Sequence, residues 1–137
     1  MIVPLLLTFA FLPDNTGLPS SFNMAGYAFN ALASAPKLLI NESGGEKGLQ
    51  FPKEGLMVSL PASVSVADIR ACSFADPLKV EALGLTTSAI DSFEVAGNTC
   101  VDFKLRGFGL EEIRFTGGGN EGLLVSINIA IESQGPR

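Results

Sequence analysis

The sequence has no histidine and no tryptophan, a single tyrosine and only two cysteines among 137 residues. Without histidine there is no side chain whose ordinary titration falls near neutral pH. The Ser-His and Cys-His nucleophile pairs and the commonest transition-metal ligand are therefore excluded. Two thiols are too few for a structural zinc site, and no cofactor or metal is expected. Charge is scarce as well: nine Lys and Arg stand against 14 Asp and Glu, for a net charge of −5. The basic residues are scattered and interleaved with acids, as in Lys53-Glu54 and in Glu111-Glu112 beside Arg114, which argues against a nucleic-acid partner.

Long hydrophobic runs are also missing. A membrane span needs roughly 20 apolar residues. The opening stretch from Met1 to Leu12 is interrupted by Pro4 and stops at Pro13-Asp14, so a membrane partner is not expected. The same stretch resembles a secretory signal in its apolar content. It lacks a basic residue ahead of it and a small-x-small cleavage site close behind.

What is present points to strands. Hydrophobic residues make up 47% of the chain, with 15 Gly and eight Pro, a composition suited to short strands joined by turns within one domain. Leu123 to Glu132 alternates Val125, Ile127, Ile129 and Ile131 with Ser126, Asn128, Ala130 and Glu132. Thr99 to Phe108 sets Val101, Phe103 and Leu105 against Asp102, Lys104 and Arg106, and Glu111 to Thr116 adds Ile113 and Phe115. The glycine-rich stretch from Thr116 to Gly122 reads as a hairpin connection, giving three consecutive antiparallel strands. One shared core of Val101, Phe103, Leu105, Ile113, Phe115, Val125, Ile127 and Ile129 follows from that pattern.

Upstream, Leu56 to Val66 keeps one parity, and Pro61 within it implies an edge strand or two strands meeting at a bend. Arg70 to Phe74, Leu78 to Ala82 and Ile90 to Val95 are further strands, separated by Asp76-Pro77, Gly84 and Gly97-Asn98. The fold class is all-β: an antiparallel β-sandwich or jelly-roll-like domain over residues 37–137.

Residues 1–36 carry one charged side chain, Asp14, and form an uncharged, largely irregular N-terminal arm in this reading. A short helix about residues 21–34, capped by Ser20 or Ser21 and ended by Pro36, is its one regular element. Such a segment has little reason to face water, so Ile2, Leu5, Leu6, Phe9, Phe11, Leu12, Phe22, Tyr27 and Phe29 are the expected partner-binding residues.

The chemical candidates are few. Glu111 and Glu112 occupy neighbouring strand positions that point to opposite faces and read as solvated charges rather than as a carboxylate pair. Gly117-Gly118-Gly119 lacks the Gly-Lys-Ser/Thr ending of a phosphate loop. Asn41-Glu42-Ser43 matches a glycosylation sequon. Cys72 and Cys100 are either a disulfide or two free thiols, since sequence does not place their Cβ atoms.

No catalytic constellation emerges, and the chain reads as non-catalytic. The main expectation is a structural protein of a larger assembly: a phage or virus virion component, capsid, decoration or tail-associated. It would be homo-oligomeric, with the arm packed on neighbouring subunits. The alternative is a secreted or surface-displayed binding module, adhesin- or pilus-like, with Cys72 bonded to Cys100.

Overall fold

The computed structural model describes residues 2–32, 38–86 and 88–132, and side chains within 5–130 of that range. Its regular structure is antiparallel β-strand throughout, apart from a single 3-10 turn at Gly118–Asn120. The strands are β1 (Ile2–Thr8), β2 (Gly17–Leu18), β3 (Ser21–Met24), β4 (Tyr27–Ala31), β5 (Leu38–Ser43), β6 (Glu46–Phe51), β7 (Leu56–Ser73), β8 (Leu78–Leu83), β9 (Ala89–Val95), β10 (Thr99–Gly117) and β11 (Gly122–Glu132). The all-β sandwich expected from the period-two pattern is what forms.

Two strands are far longer than the others and carry the architecture. β7 runs 18 residues and β10 19, and they pair antiparallel along most of that length. The C-terminal half of β7 and the N-terminal half of β10 join β11, which is flanked on its other side by β1 and β6. The opposite halves join β4 and β8, and beyond these β3 and β9. The two sets of strands are the layers of the sandwich, and β7 and β10 belong to both.

The bends have local causes. Pro61 falls in the interval of β7 that has no register partner on β10, where a missing N–H costs no ladder bond. On β10 the register slips between Arg106 and Leu110 and again between Leu110 and Glu112. Segments 56–66 and 70–73 are therefore one strand, with Phe74 just past its end, as are 99–108 and 111–116. The second slip leaves Glu111 and Glu112 both half-exposed between buried Leu110 and Ile113.

The three C-terminal strands are not consecutive neighbours. β10 and β11 each pair with β7, which lies between them, so the Gly117–Asn120 turn crosses from one layer to the other instead of closing a hairpin. Asn120 holds that crossing to β6 and its exit: its Oδ1 accepts from the Lys53 N–H and its carbonyl from Gln50 Nε2, both at 2.8 Å. Phe103, Leu105, Ile113, Phe115, Ile127 and Ile129 share the core and Val101 packs at its margin. Val125 stays half-buried because the register against β7 shifts between Leu124 and Ser126.

The N-terminal segment differs most from the sequence reading. Residues 21–34 do not start a helix: β3 and β4 form a hairpin around Ala25 and Gly26, both at positive φ (53° and 84°), the geometry of a two-residue turn that follows strand twist. Strands from both sides of residue 36 lie in one sheet, so residues 2–31 are not an arm outside the domain; Pro36-Lys37 itself lies outside the described residues. Leu7, Phe9, Tyr27 and Phe29 are fully buried in the core. Phe29 stacks on Phe22 at 4.7 Å and meets Phe9 edge-on at 5.9 Å. Most of the large apolar side chains of this segment are buried within its own fold, while uncharged residues such as Asn15, Ser20, Ser21 and Asn30 face out. Even Asp14 is used internally, its Oδ1 accepting the Glu42 N–H on β5 at 2.9 Å.

The Tyr27 hydroxyl donates to the Leu5 carbonyl at 2.9 Å, tying β4 to β1 across the layers. Burial pushes its pKa up from 10.0 to about 12. A phenol with its folded pKa raised contributes stability that is complete below pH 10 and is lost as pH climbs toward about 12. Tyr27→Phe is expected to lower stability by about 1 kcal/mol at neutral pH and to flatten the alkaline decline in melting temperature. An unchanged alkaline profile would show that another group controls it. Deleting residues 1–31 removes β1 and β4 from the core and is expected to abolish the cooperative thermal transition. A truncated chain that still melts cooperatively would restore the arm.

Candidate binding face

The side chains that alternate away from the core on β7, β10 and β11 meet on the outer surface of the sheet. Asp102, Arg70 and Ser126 are register neighbours across the three strands, and Lys104, Asp68 and Asn128 form the next row. Beneath them Phe103, Ile69 and Ile127 face inward and are buried, which fixes the strands that carry the polar rows. The rows line an open groove of about 320 Å³, with Ile69 and Phe103 contributing to its floor.

Its charges are paired almost completely. Arg70 grips Glu46 of β6 with two parallel bonds, Nε to Oε1 at 2.9 Å and Nη2 to Oε2 at 2.7 Å, and reaches Asp102 Oδ2 through Nη1 at 3.0 Å. The Lys104 ammonium pairs with the Asp68 carboxylate. The hydrogen bond from Arg70 holds the Glu46 carboxyl below its ordinary range, and Glu46 and Asp102 raise the guanidinium further. Two cations thus face three carboxylates, and donors and acceptors alternate with little net field. Asn128 Oδ1 is buried without a hydrogen-bond partner among the described residues. An acceptor left in that condition costs about 1–3 kcal/mol.

A second feature lies farther along β10. Phe108 is 98% exposed and Leu85, in the β8–β9 connection, 85%, while Ile90 between them is 40% exposed. No group of three or more His, Cys, Asp or Glu able to hold a metal occurs among the described residues. No helix there is long and apolar enough to cross a membrane. Asn41 of the sequon sits on β5 with its Nδ2 donating to Ser43 Oγ at 3.0 Å.

The residues singled out in sequence do not make one partner surface. Phe9, Tyr27 and Phe29 are interior; Leu5, Leu12 and Phe22 pack against the core; only Leu6 and Phe11 are exposed; the Ile2 side chain lies outside the described residues. Cys72 and Cys100 are direct register partners on β7 and β10, with Cα atoms 4.0 Å apart, and are bonded. Sequence reasoning passed over Asp68, Arg70, Asp102, Lys104, Ser126 and Asn128, because an outward polar residue on a strand looks the same whether or not its neighbours form a groove.

No protein-family model and no curated protein matches the chain. Among solved structures, a low-affinity xylan binding module, CBM86, from Roseburia intestinalis is similar, with 13% identity, TM-score 0.45, and coverage of 92% of this chain and 93% of that one. A family 29 carbohydrate binding module is similar at 12% identity and TM-score 0.46, covering 95% and 91%. The arabinofuranosidase MgGH51 is similar at 16% identity and TM-score 0.47, covering 91% of this chain but 25% of that one.

The virion reading does not survive. The subunit-binding arm on which that reading rested is part of the chain's own core. Capsid-like partners, a virion location and arm-mediated homo-oligomerisation fall with it.

The disulfide yields a prediction of its own. It joins the two longest strands across a separation of 28 residues. Reduction is expected to lower the unfolding free energy by roughly 2–4 kcal/mol, read from urea midpoints with and without reductant. Equal midpoints, with intact mass confirming loss of the bond, would show that strand pairing alone carries the stability.

Proposed function

We propose that this chain is an exported, non-catalytic binding module that holds an uncharged, hydroxyl-rich ligand, a glycan strand, in the groove over β7, β10 and β11. The observation that carries the reading is the groove's paired, alternating polarity: carboxylates, a guanidinium, an ammonium, Ser126 and Asn128 stand on three rigid strands with little net charge. Sugar hydroxyls donate and accept in turn, which suits such a surface, whereas a charged ligand would require a field of one sign. Asn128 lines the groove, and its side-chain amide is a group that can donate to or accept from a ligand hydroxyl.

Export is supported by the Cys72–Cys100 bond, since disulfides persist in oxidising compartments. A binding role in place of catalysis is supported by the absence of histidine, which leaves no ordinary base near neutral pH. This takes up the secreted or surface-displayed alternative. Xylan and carbohydrate binding, named for two of the similar solved chains, are ligand chemistry of the same kind, but the reading stands on the groove.

Calorimetric titration with soluble xylan and with a soluble β-glucan tests it. Binding to at least one is expected, little affected by raising salt from 50 mM to about 500 mM, since an uncharged ligand releases no counterions. Asn128→Ala is expected to weaken binding by several-fold to about tenfold, the scale of one hydrogen bond. Steep salt dependence would overturn the uncharged ligand, release of reducing sugar would overturn the non-catalytic role, and full affinity in Asn128→Ala would move the site elsewhere.

A further inference from the structure

Phe108 is bracketed by two glycines at positive φ, Gly107 at 156° and Gly109 at 67°. Three residues of β10, 107 to 109, lie between Arg106 and Leu110, against one residue of β7 between their partners Val66 and Val64. The surplus backbone is pushed out as a bulge, and bulges of this kind re-aim a side chain. Glycine is required at its base: a Cβ on Gly107 would lie 2.2 Å from Ile90 Cγ2. Ile90 also abuts Gly84, where a Cβ would come within 2.7 Å of Cδ1. The connections bearing Leu85 and Phe108 are thereby drawn to the same Ile90 side chain, and the three form one apolar tip.

The tip is small. Its side chains expose about 400 Å² together, the size of a functional patch on a monomer. A stable pair of subunits buries about 800 Å² on each partner, so the tip falls short of a dimer face. Its place on the strand relates it to the groove. Asp102, Lys104 and Arg106 alternate outward along β10, and Phe108 follows four residues after Lys104 across the bulge, at most about 13 Å of extended chain away.

We infer that Phe108, flanked by Leu85 and Ile90, is the apolar end of the same binding site. It would cover the C–H face of a sugar ring that lies beyond the polar groove. This rests on the glycan reading of the groove and sharpens it: the ligand is a chain long enough to reach from the Lys104–Asn128 row to the bulge, and a short saccharide loses the aromatic contact. The polar rows supply direction and hydrogen bonds; the exposed ring supplies apolar burial, which a single sugar held in the groove cannot reach.

The test compares Phe108→Ala, Phe108→Trp and Asn128→Ala in the full chain, titrated with xylohexaose and xylobiose and with cellohexaose and cellobiose. Because Phe108 is 98% exposed, its variants are expected to keep the parent's circular dichroism and melting temperature. Phe108→Ala should weaken hexasaccharide binding by about tenfold while leaving disaccharide binding within twofold, and Phe108→Trp should retain or strengthen it. Full hexasaccharide affinity in Phe108→Ala, with Asn128→Ala weakened, overturns the inference and leaves the groove reading standing. Loss in Phe108→Ala with full affinity in Asn128→Ala separates the apolar contact from the groove and overturns the inference that the two are one site. Parent protein that binds none of the four saccharides overturns both. A parent dimer that Phe108→Ala converts to monomer in sedimentation would reassign the tip to a second copy and overturn the inference.

Discussion

The antiparallel pairing of β7 with β10 is the constraint on which the rest of this structure depends. Among the described residues no other strand is long enough to serve both layers, and each of the two bends where its backbone is released from the ladder, β7 around Pro61 and β10 at the two register slips after Arg106. A proline or a surplus residue in the middle of a short central strand would only weaken it. In strands this long the same defects turn one sheet back over itself, so that Phe51 meets Phe115 in the interior. The disulfide staples the same pair at the opposite end, Cys72 to Cys100.

The outer surface follows from that pairing. Where β7 is flanked by β10 and β11 with all three strands in register, outward side chains form rows, and the rows are filled with charges that neutralise one another. Exposed ion pairs of this kind contribute little to stability, commonly under about 1 kcal/mol each. Their effect here is positional: the two-bond grip of Arg70 on Glu46 immobilises a guanidinium that would otherwise sweep a wide volume, and Lys104 is held toward Asp68. The bulge that bends β10 also sets Phe108 outside the core, so one backbone irregularity shapes both the sandwich and the apolar tip.

The N-terminal third shows how a correct premise led to the wrong element. Large apolar side chains in a stretch with one charge in 36 residues do need to be buried, but partner surface and self-burial leave the same compositional trace. The turn that would have told them apart is written Ala25-Gly26, with Ala at a positive-φ position where Asn or Asp would have signalled a hairpin. Without that cue the spacing of Phe22, Tyr27 and Phe29 passed for a helix. In the structure Phe22 and Phe29 are register partners of one ladder, and Phe29 sits opposite Val58 of β7.

By itself the sequence determined that this is a strand protein, which residues of 99–106 and 126–130 face inward, and that no histidine chemistry is available. Each of these is a local property, set by side-chain type or by the two-residue period of a strand. Only the tertiary structure decided that β10 and β11 flank β7 rather than each other, that Cys72 and Cys100 come into register, and that Asp68, Arg70, Asp102, Lys104, Ser126 and Asn128 share one groove. Periodicity tells a strand which face to bury but not which strand to lie beside. That choice is made by bulges, prolines and register slips acting between segments tens of residues apart.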